Sequence, residues 1–339
     1  VKALDEVQAA DAAAALAKAI YGRMFDAIVA RINELIGADR GAVAGFIGVL
    51  DIFGFEVFEV NSFEQLCINF ANEMLQQQFN ADTFRFQQAE YEREGVPWAH
   101  IEYADNSAVI ELLARRRLGA FALLEEECRL QAGSAASFVD KLQREHRDSK
   151  VLSVPPLQKS TASPSFNIEH YAGAVSYDTS LFLQKNTDPL HPELLELMRG
   201  STSAYLRALF EESRATATAG KRRQRKESTT ALWSATVGTS FKEQLHELMS
   251  TITETHVHYV RCVKPNAQAL AAGEQGAFAN EMVTEQLRCG GMLEAVRIAR
   301  AAYPHRLTRE MFALLFAPLL GRRASEMDFD EMVASLLPG

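Results

Sequence analysis

The sequence predicts a mixed α/β chain that is mostly helical. Three observations carry that reading. Apolar residues recur every three to four positions over long stretches, with Leu16, Ile20, Met24, Ile28, Ile32 and Leu35 in the first and Phe63, Leu66, Phe70, Met74 and Leu75 in the second. Ala42–Phe55 (AVAGFIGVLDIFGF) is instead apolar, partly β-branched and broken by glycines, as a strand buried on both faces reads when it runs into a tight turn. The 339 residues are 47% hydrophobic, enough for a large core with more than one subdomain.

The elements follow in order. Asp11–Ile36 predicts a helix closed by Gly37. After the Ala42–Phe55 strand, Asn61 or Ser62 can cap a long helix, and Gln65 stands three residues after Ser62, the capping-box spacing. Its periodicity continues through Phe79, Phe84 and Phe86 to Gly95–Pro97. About 28 residues at ~1.5 Å each give about 42 Å, long enough to link distant sites. Ser107–Arg147 is again helical, interrupted at Ala132–Gly133–Ser134, and Ser153–Pro164 is a proline- and serine-rich loop. Ser165–Asp178 reads as two short strands around Ala172–Gly173, a hairpin. Leu190–Phe210 is helical. Ser213–Thr230 is small, polar and basic, with nothing to bury, and reads as a disordered loop. Phe241–Thr255 predicts a helix, His258–Val263 a strand stopped by Pro265 and Asn266, and Asn280–Ala302 a helix with an internal Gly290–Gly291 pair. A small mixed tail begins at Pro304. No internal repeat is present.

Composition excludes several classes. The net charge of −9 argues against a general nucleic-acid binder. Cys67, Cys128, Cys262 and Cys289 are scattered, without zinc-ligand spacing and too few for a disulfide framework, which fits a reducing cytosol. The longest apolar stretch, Gly41–Leu50, is too short to cross a bilayer, and no secretory leader is seen, so direct membrane insertion is not expected. The chain opens at Val1 on an amphipathic pattern and reads as an excerpt of a longer protein.

Asp51–Glu56 is the leading candidate site. A carboxylate at the end of a buried strand, followed by a glycine turn, is a recurring solution in phosphate-handling folds: the carboxylate holds a metal's water shell and the glycine lets a backbone N–H approach a phosphate. Read alone, an aspartate that simply caps a turn is about as good an account. The sequence has no G-x-x-x-x-G-K-[ST] loop; the Gly220–Lys221 pair lacks the second glycine and the hydroxyl. Lys221, Arg222, Arg223, Arg225 and Lys226 form a dense basic run, which is more often just a solvated face.

A series of segments resembles myosin heavy-chain motor domains. LDIFGFE (Leu50–Glu56) looks like the family's switch II, NSFEQLCINFANEMLQQ (Asn61–Gln77) its relay helix, and EGVPW (Glu94–Trp98) its relay loop. LLEEEC (Leu123–Cys128) and SFVDKL (Ser137–Leu142) resemble the actin-binding helix-loop-helix. HYAGAVSYD (His170–Asp178) and KNTDPL (Lys185–Leu190) resemble the rest of the lower actin-binding half. HYVRCVKPN (His258–Asn266) and QLRCGGMLEAVRIAR (Gln286–Arg300) resemble a central-sheet strand and the reactive-thiol helices. One such motif is weak; the whole series in this order is specific.

The resemblance implies part of a P-loop NTPase-type motor, contributing strands to a central mixed sheet. Residues 1–60 would be a helix and the sheet strand ending in switch II, and 61–100 the relay helix and loop. The lower actin-binding subdomain would follow at 101–212, the basic surface loop at 213–230, a sheet strand and the thiol helices at 231–303, and a partial converter at 304–339. It implies ATP and Mg2+ in the complete motor: Asp51 supports magnesium through water, the Gly54 amide meets the γ-phosphate, Ile52 and Phe53 line the same turn, and Glu56 pairs with a switch I arginine outside this sequence. Phe55, Trp98, Cys289 and Gly291 become mechanical positions, Gly291 as a fulcrum and Cys289 as one reactive thiol, with Ala299 where the second thiol stands. Actin filaments are the implied partner, through Arg129, Leu130, Gln131, Ala132, Gly133 and Ser134 and through the Lys221–Lys226 run. RLQAGSAA (Arg129–Ala136) departs from the apolar, proline-bearing tip common in the family. Light chains or calmodulin would bind only through absent downstream sequence. The implied setting is the cytoplasmic cytoskeleton. The alternative is a non-catalytic actin-binding fragment or degenerate motor.

Overall fold

A computed structural model describes residues 4–37, 45–94, 105–156, 163–187, 190, 192–211, 236–268, 276–293, 296, 307–321 and 327–336. Among these the chain is helical with one small antiparallel sheet. It divides into two compact units, one made of residues 1–75 and 106–260 and the other of 76–105 and 261–339.

In the first unit, α1 (Glu6–Ile36) starts earlier than its apolar pattern because Asp5 caps it, its carboxylate accepting from Gln8 N at 2.8 Å. Helix α2 (Phe63–Glu94) runs 32 residues, its portion up to Leu75 in this unit and the remainder in the other. The capping-box spacing is used: Ser62 N donates to Gln65 Oε1 at 3.0 Å. Asn61 ties the helix start to the sheet, its Nδ2 donating to Ser176 O while Asp178 N donates to Asn61 O. Then come α3 (Ser107–Ala114), α4 (Ala120–Arg129) and α5 (Ala135–Glu145).

The sheet order is β1 (Leu152–Ser153), β2 (Ser165–His170), β3 (Gly173–Asp178). The predicted hairpin forms with His170 opposite Gly173 and the turn at Tyr171–Ala172. One face of β2 buries Phe166, Ile168 and His170 and the facing strand buries Val175 and Tyr177, which is the alternation of a half-covered sheet. Short α6 (Phe182–Asn186) follows. The single helix expected over 190–210 is two, α7 (Pro192–Arg199) and α8 (Ala204–Glu211), parted by Gly200 and its serine neighbours. Helix α9 (Val237–Thr253) completes the unit. The core is aromatic: Phe182 lies edge-on to Phe63 at 5.7 Å and to Phe166 at 6.0 Å, and Phe166 packs on Phe138 and Tyr177.

Two strand expectations fail. Residues 45–55 carry no regular structure, and Ile47 and Val49 are 98% and 93% exposed. Residues 258–263 likewise form no ladder, with Val260 81% exposed. The strands expected for a central mixed sheet are therefore not among the described elements. Apolar, β-branched composition sets a strand's preference, but a strand exists only when a neighbour accepts its backbone hydrogen bonds, and no described segment does so here.

In the second unit, α10 (Asn280–Cys289) ends at the Gly290–Gly291 pair, where Gly291 takes φ +70°, and helical residues resume at Met292. Gln286 exchanges two 2.9 Å hydrogen bonds with the Lys264 backbone, and Arg261 lies over the Phe79 ring at 5.5 Å. Thr308 caps α11 (Arg309–Leu320), and Phe312 packs on Phe329 of α12 (Phe329–Leu336) at 5.6 Å. Trp98, Ala299, the turn into the tail at Pro304 and the loop bearing Lys221, Arg222, Arg223, Arg225 and Lys226 lie outside the described residues.

Candidate functional site

The turn Asp51–Glu56 is held from one side by α2. Asn69, one turn beyond Gln65, pairs with the Glu56 backbone in both directions: Glu56 N donates to Asn69 Oδ1 and Asn69 Nδ2 donates to Glu56 O, each at 2.8 Å. Asn72 Nδ2 donates to Phe53 O at 3.0 Å, and Gln65 Nε2 donates to Glu56 Oε2 at 3.3 Å. Three positions of one helical face thus hold the segment at Phe53 and at its Glu56 end. Between them Phe55 is buried, its ring edge-on to His170 at 5.1 Å and to Tyr171 at 5.4 Å.

Beneath the turn lies a buried polar network. His170 Nδ1 stands 2.8 Å from Glu73 Oε1, both side chains 0% exposed, and His170 Nε2 stands 2.8 Å from the Tyr177 hydroxyl. Tyr177 oxygen accepts from Asn69 Nδ2 at 2.9 Å. Glu73 also accepts from Tyr171 N and from Asn106 Nδ2, which reaches the Glu73 backbone carbonyl as well. With Nδ1–H donating to the carboxylate and Nε2 accepting from the tyrosine, each proton has an acceptor, as a buried polar group requires. Burial, then the nearby Glu73 and Cys67, drive Tyr177 far above its ordinary value despite the Asn69 hydrogen bond, so it stays a neutral donor. Burial, followed by Glu64, likewise pushes the Cys67 thiol up to about 12.

Asp51, Ile52, Phe53 and Gly54 are exposed, and the space where Gly54 would carry a Cβ is open for 4 Å. A phosphate could approach this backbone closely. The donor set, one carboxylate and main-chain groups, fits one side of a magnesium–nucleotide and does not encircle it. Among the described residues, no group of three or more His, Cys, Asp or Glu side chains could hold a metal ion directly. No described helix is long and apolar enough to cross a membrane.

The second candidate surface is the turn joining α4 to α5. Arg129, Leu130, Gln131, Ala132 and Ser134 are exposed around half-buried Gly133. Its close turn needs glycine: a Cβ at Gly133 would lie 2.0 Å from Glu127 O. Ser134 caps α5 with Ser137 in a reciprocal capping box. Cys289 is half-buried at the end of α10. Burial, then the hydrogen bond to Glu285, raises its thiol to about 11, which disfavours the reactive thiolate.

The sequence singles out Phe55, which is buried, but its local motifs pass over Asn69, Asn72, Glu73, Asn106 and Tyr177, which make the hydrogen bonds around it. A signal was available. Gln65, Asn69, Asn72, Glu73, Gln76 and Asn80 recur at helical spacing beside the apolar stripe, and Asn69, Glu73, Gln76 and Asn80 are almost wholly buried. A polar ridge on a core helix marks hydrogen-bond partners waiting elsewhere in the fold.

The chain is helical among the described residues, with one long helix bonded to the Phe53 and Glu56 backbone, and comparison gives the family. The model for the myosin head (motor domain) matches residues 1–337, so the chain belongs to that family. It is 40% identical over 333 residues to Myosin-17 of Arabidopsis thaliana, covering 98% of this chain and 20% of that protein. It is 40% identical over 330 residues to Myosin-I heavy chain of Dictyostelium discoideum, covering 97% of this chain and 13% of that protein. Protein OPAQUE1 of Zea mays is 42% identical over 321 residues, covering 94% of this chain and 20% of that protein. The chain thus spans a small part of the relatives it matches.

Proposed function

We propose that this chain is the part of an actin-based motor that runs from a phosphate-sensing switch to the start of a converter, and that in the complete motor ATP hydrolysis is coupled through it to actin binding and converter rotation. The observation that carries the reading is the pair of holds that α2 has on the Asp51–Glu56 segment, Asn69 at Glu56 and Asn72 at Phe53. A turn so tied cannot move without displacing the helix or breaking hydrogen bonds, which is the requirement for a lever. Phe55 couples the same motion to the hairpin at His170 and Tyr171.

In this role Asp51 would help hold magnesium, the Gly54 backbone would help hold the nucleotide's phosphates, and Glu56 would pair with an arginine supplied by other sequence. Bound Mg2+–ATP supplies the transferable phosphoryl group and the charge the metal neutralises. The far half of α2 leads toward Trp98, whose fluorescence reports the motion, and Gly291 is the pivot beside Cys289. The exposed tip Arg129–Ser134 is the stereospecific actin contact and the Lys221–Lys226 run a long-range electrostatic one. The setting is the cytoskeleton. Because the sequence has no phosphate-binding loop of the G-x-x-x-x-G-K-[ST] type, the chain by itself neither binds ATP tightly nor hydrolyses it, and a purely actin-binding role is the second reading.

Co-sedimentation with actin filaments at low and high salt tests the binding half. The chain should pellet with filaments, more at low salt. Failure to pellet at any salt removes the actin reading.

A further inference from the structure

Glu127 is a charged side chain only 1% exposed, and nothing in the proposed lever uses it. It sits in the last turn of α4. Its Oε2 accepts from the Ser137 hydroxyl and from Ser134 N at 3.3 Å, both on the far side of the tip, and Lys141 Nζ stands against Oε1 at 2.5 Å. Lys141 also reaches Glu126 at 2.8 Å. Ser134 N shares its proton with Ser137 Oγ at 3.1 Å, and Ser137 N donates to Ser134 Oγ at 3.1 Å. Three elements thus close on one carboxylate: the end of α4, the cap of α5 and the second turn of α5. The six residues of the tip, Arg129–Ser134, have no buried apolar side chain to anchor them, and Leu130 is half exposed.

We infer that Glu127, Ser137 and Lys141 are positioning residues, a buried clamp that fixes the exposed tip Arg129–Ser134 in one shape for docking on the actin filament. The inference rests on the actin reading above. Small polar residues at the tip offer little apolar area to a partner, so affinity depends on presenting them preorganised rather than ordering them at contact. The clamp supplies that order from inside the protein. Burial alone would raise the Glu127 carboxyl; the Lys141 ion pair and the hydrogen bonds from Ser137 and Ser134 N outweigh it and hold the carboxyl below its usual range.

The test uses the full 339-residue chain with Ser137→Ala, which removes the clamp hydroxyl at a half-buried position, and Ser137→Thr, which restores it. Two readouts separate the clamp from the actin reading. The first is the rate at which trypsin cuts the Arg129–Leu130 bond of the chain alone, followed by mass spectrometry. The second is the Kd for actin filaments at high salt. In Ser137→Ala, losing one hydrogen bond to a charged group should raise the cutting rate and weaken the high-salt Kd, each by about five- to tenfold, with the thermal midpoint nearly unchanged and Ser137→Thr close to the unmodified chain. Unchanged cutting in Ser137→Ala overturns the clamp. Faster cutting with unchanged Kd overturns its role in docking. An unmodified chain that does not pellet overturns the actin reading, while the cutting rates still decide the clamp.

Discussion

Tyr177 shows how much one oxygen can organise. It accepts from Asn69, which holds the Glu56 backbone, and bonds His170, which holds Glu73 and carries the Phe55 ring. Tyr177→Phe leaves Asn69 Nδ2 and His170 Nε2 each short of a buried partner. A loss of about 1–3 kcal/mol in unfolding free energy is expected, checked by denaturant titration. Glu127 makes a prediction of the other kind. A carboxyl held below its ordinary value in the fold stabilises at pH above that ordinary value and loses its contribution as pH falls through the folded value. The tip should therefore stay closed from neutral pH into the ordinary carboxylate range and open only in stronger acid. The groups facing Glu127 are Ser134, Ser137, Lys141 and, through Lys141, Glu126. The Ser134 amide resonance, followed through acid titration, checks this; movement centred above the ordinary carboxylate value would contradict it.

At the scale of elements, α2 carries two stripes, and each does a different thing. Phe63, Leu66 and Phe70 fill the aromatic core, while Gln65, Asn69, Asn72 and Glu73 hold the turn and the hairpin. The apolar stripe was legible in the sequence because burial of hydrocarbon is specified by pattern alone. The polar one shows in the same spacing, but its partners do not, because they lie 9 to 19 residues away at Phe53 and Glu56 and 97 to 108 away at His170 and Tyr177. Helix α1 shows the converse: its stripe predicts the helix correctly, yet Ile28, Ile32 and Leu35 of that stripe stay exposed. At the end of α10, Gly291 sits at φ +70°, and a Cβ there would lie 1.9 Å from Gln76 Oε1, which is held in place because Gln76 Nε2 donates to Asn80. Gly291→Ala should cost about 1–2 kcal/mol for the left-handed backbone and more for the clash. In a double-mutant cycle, Gln76→Ala should recover the clash part and leave the backbone part. An additive cycle would show that the Gln76 contact is not felt.

At the scale of the whole molecule, a net charge of −9 coexists with five basic residues between 221 and 226. Neutralising these five should slow association with the acidic filament surface and flatten its salt dependence, measured by stopped-flow at several ionic strengths. Equal rates and slopes would exclude the run from the proposed interface. Trp98 makes a matching prediction for the lever: in the complete motor, Trp98→Phe should abolish the nucleotide-induced fluorescence change.

By itself the sequence determined what is local or patterned. It set the main helical segments, the caps at Asn61–Ser62 and Gly37, the β2–β3 hairpin and, through an ordered series of motifs, the family. Tertiary structure alone decided which strands exist and which polar groups meet. Residues 45–55 and 258–263 have strand composition without a described ladder, because a strand's hydrogen bonds belong to its neighbour as much as to itself. Glu73 with His170, and Glu127 with Ser137 and Lys141, are ordinary surface-type residues in the string. They become buried anchors only where the folded chain brings a partner within hydrogen-bonding distance, since a charge leaves water only when something replaces it.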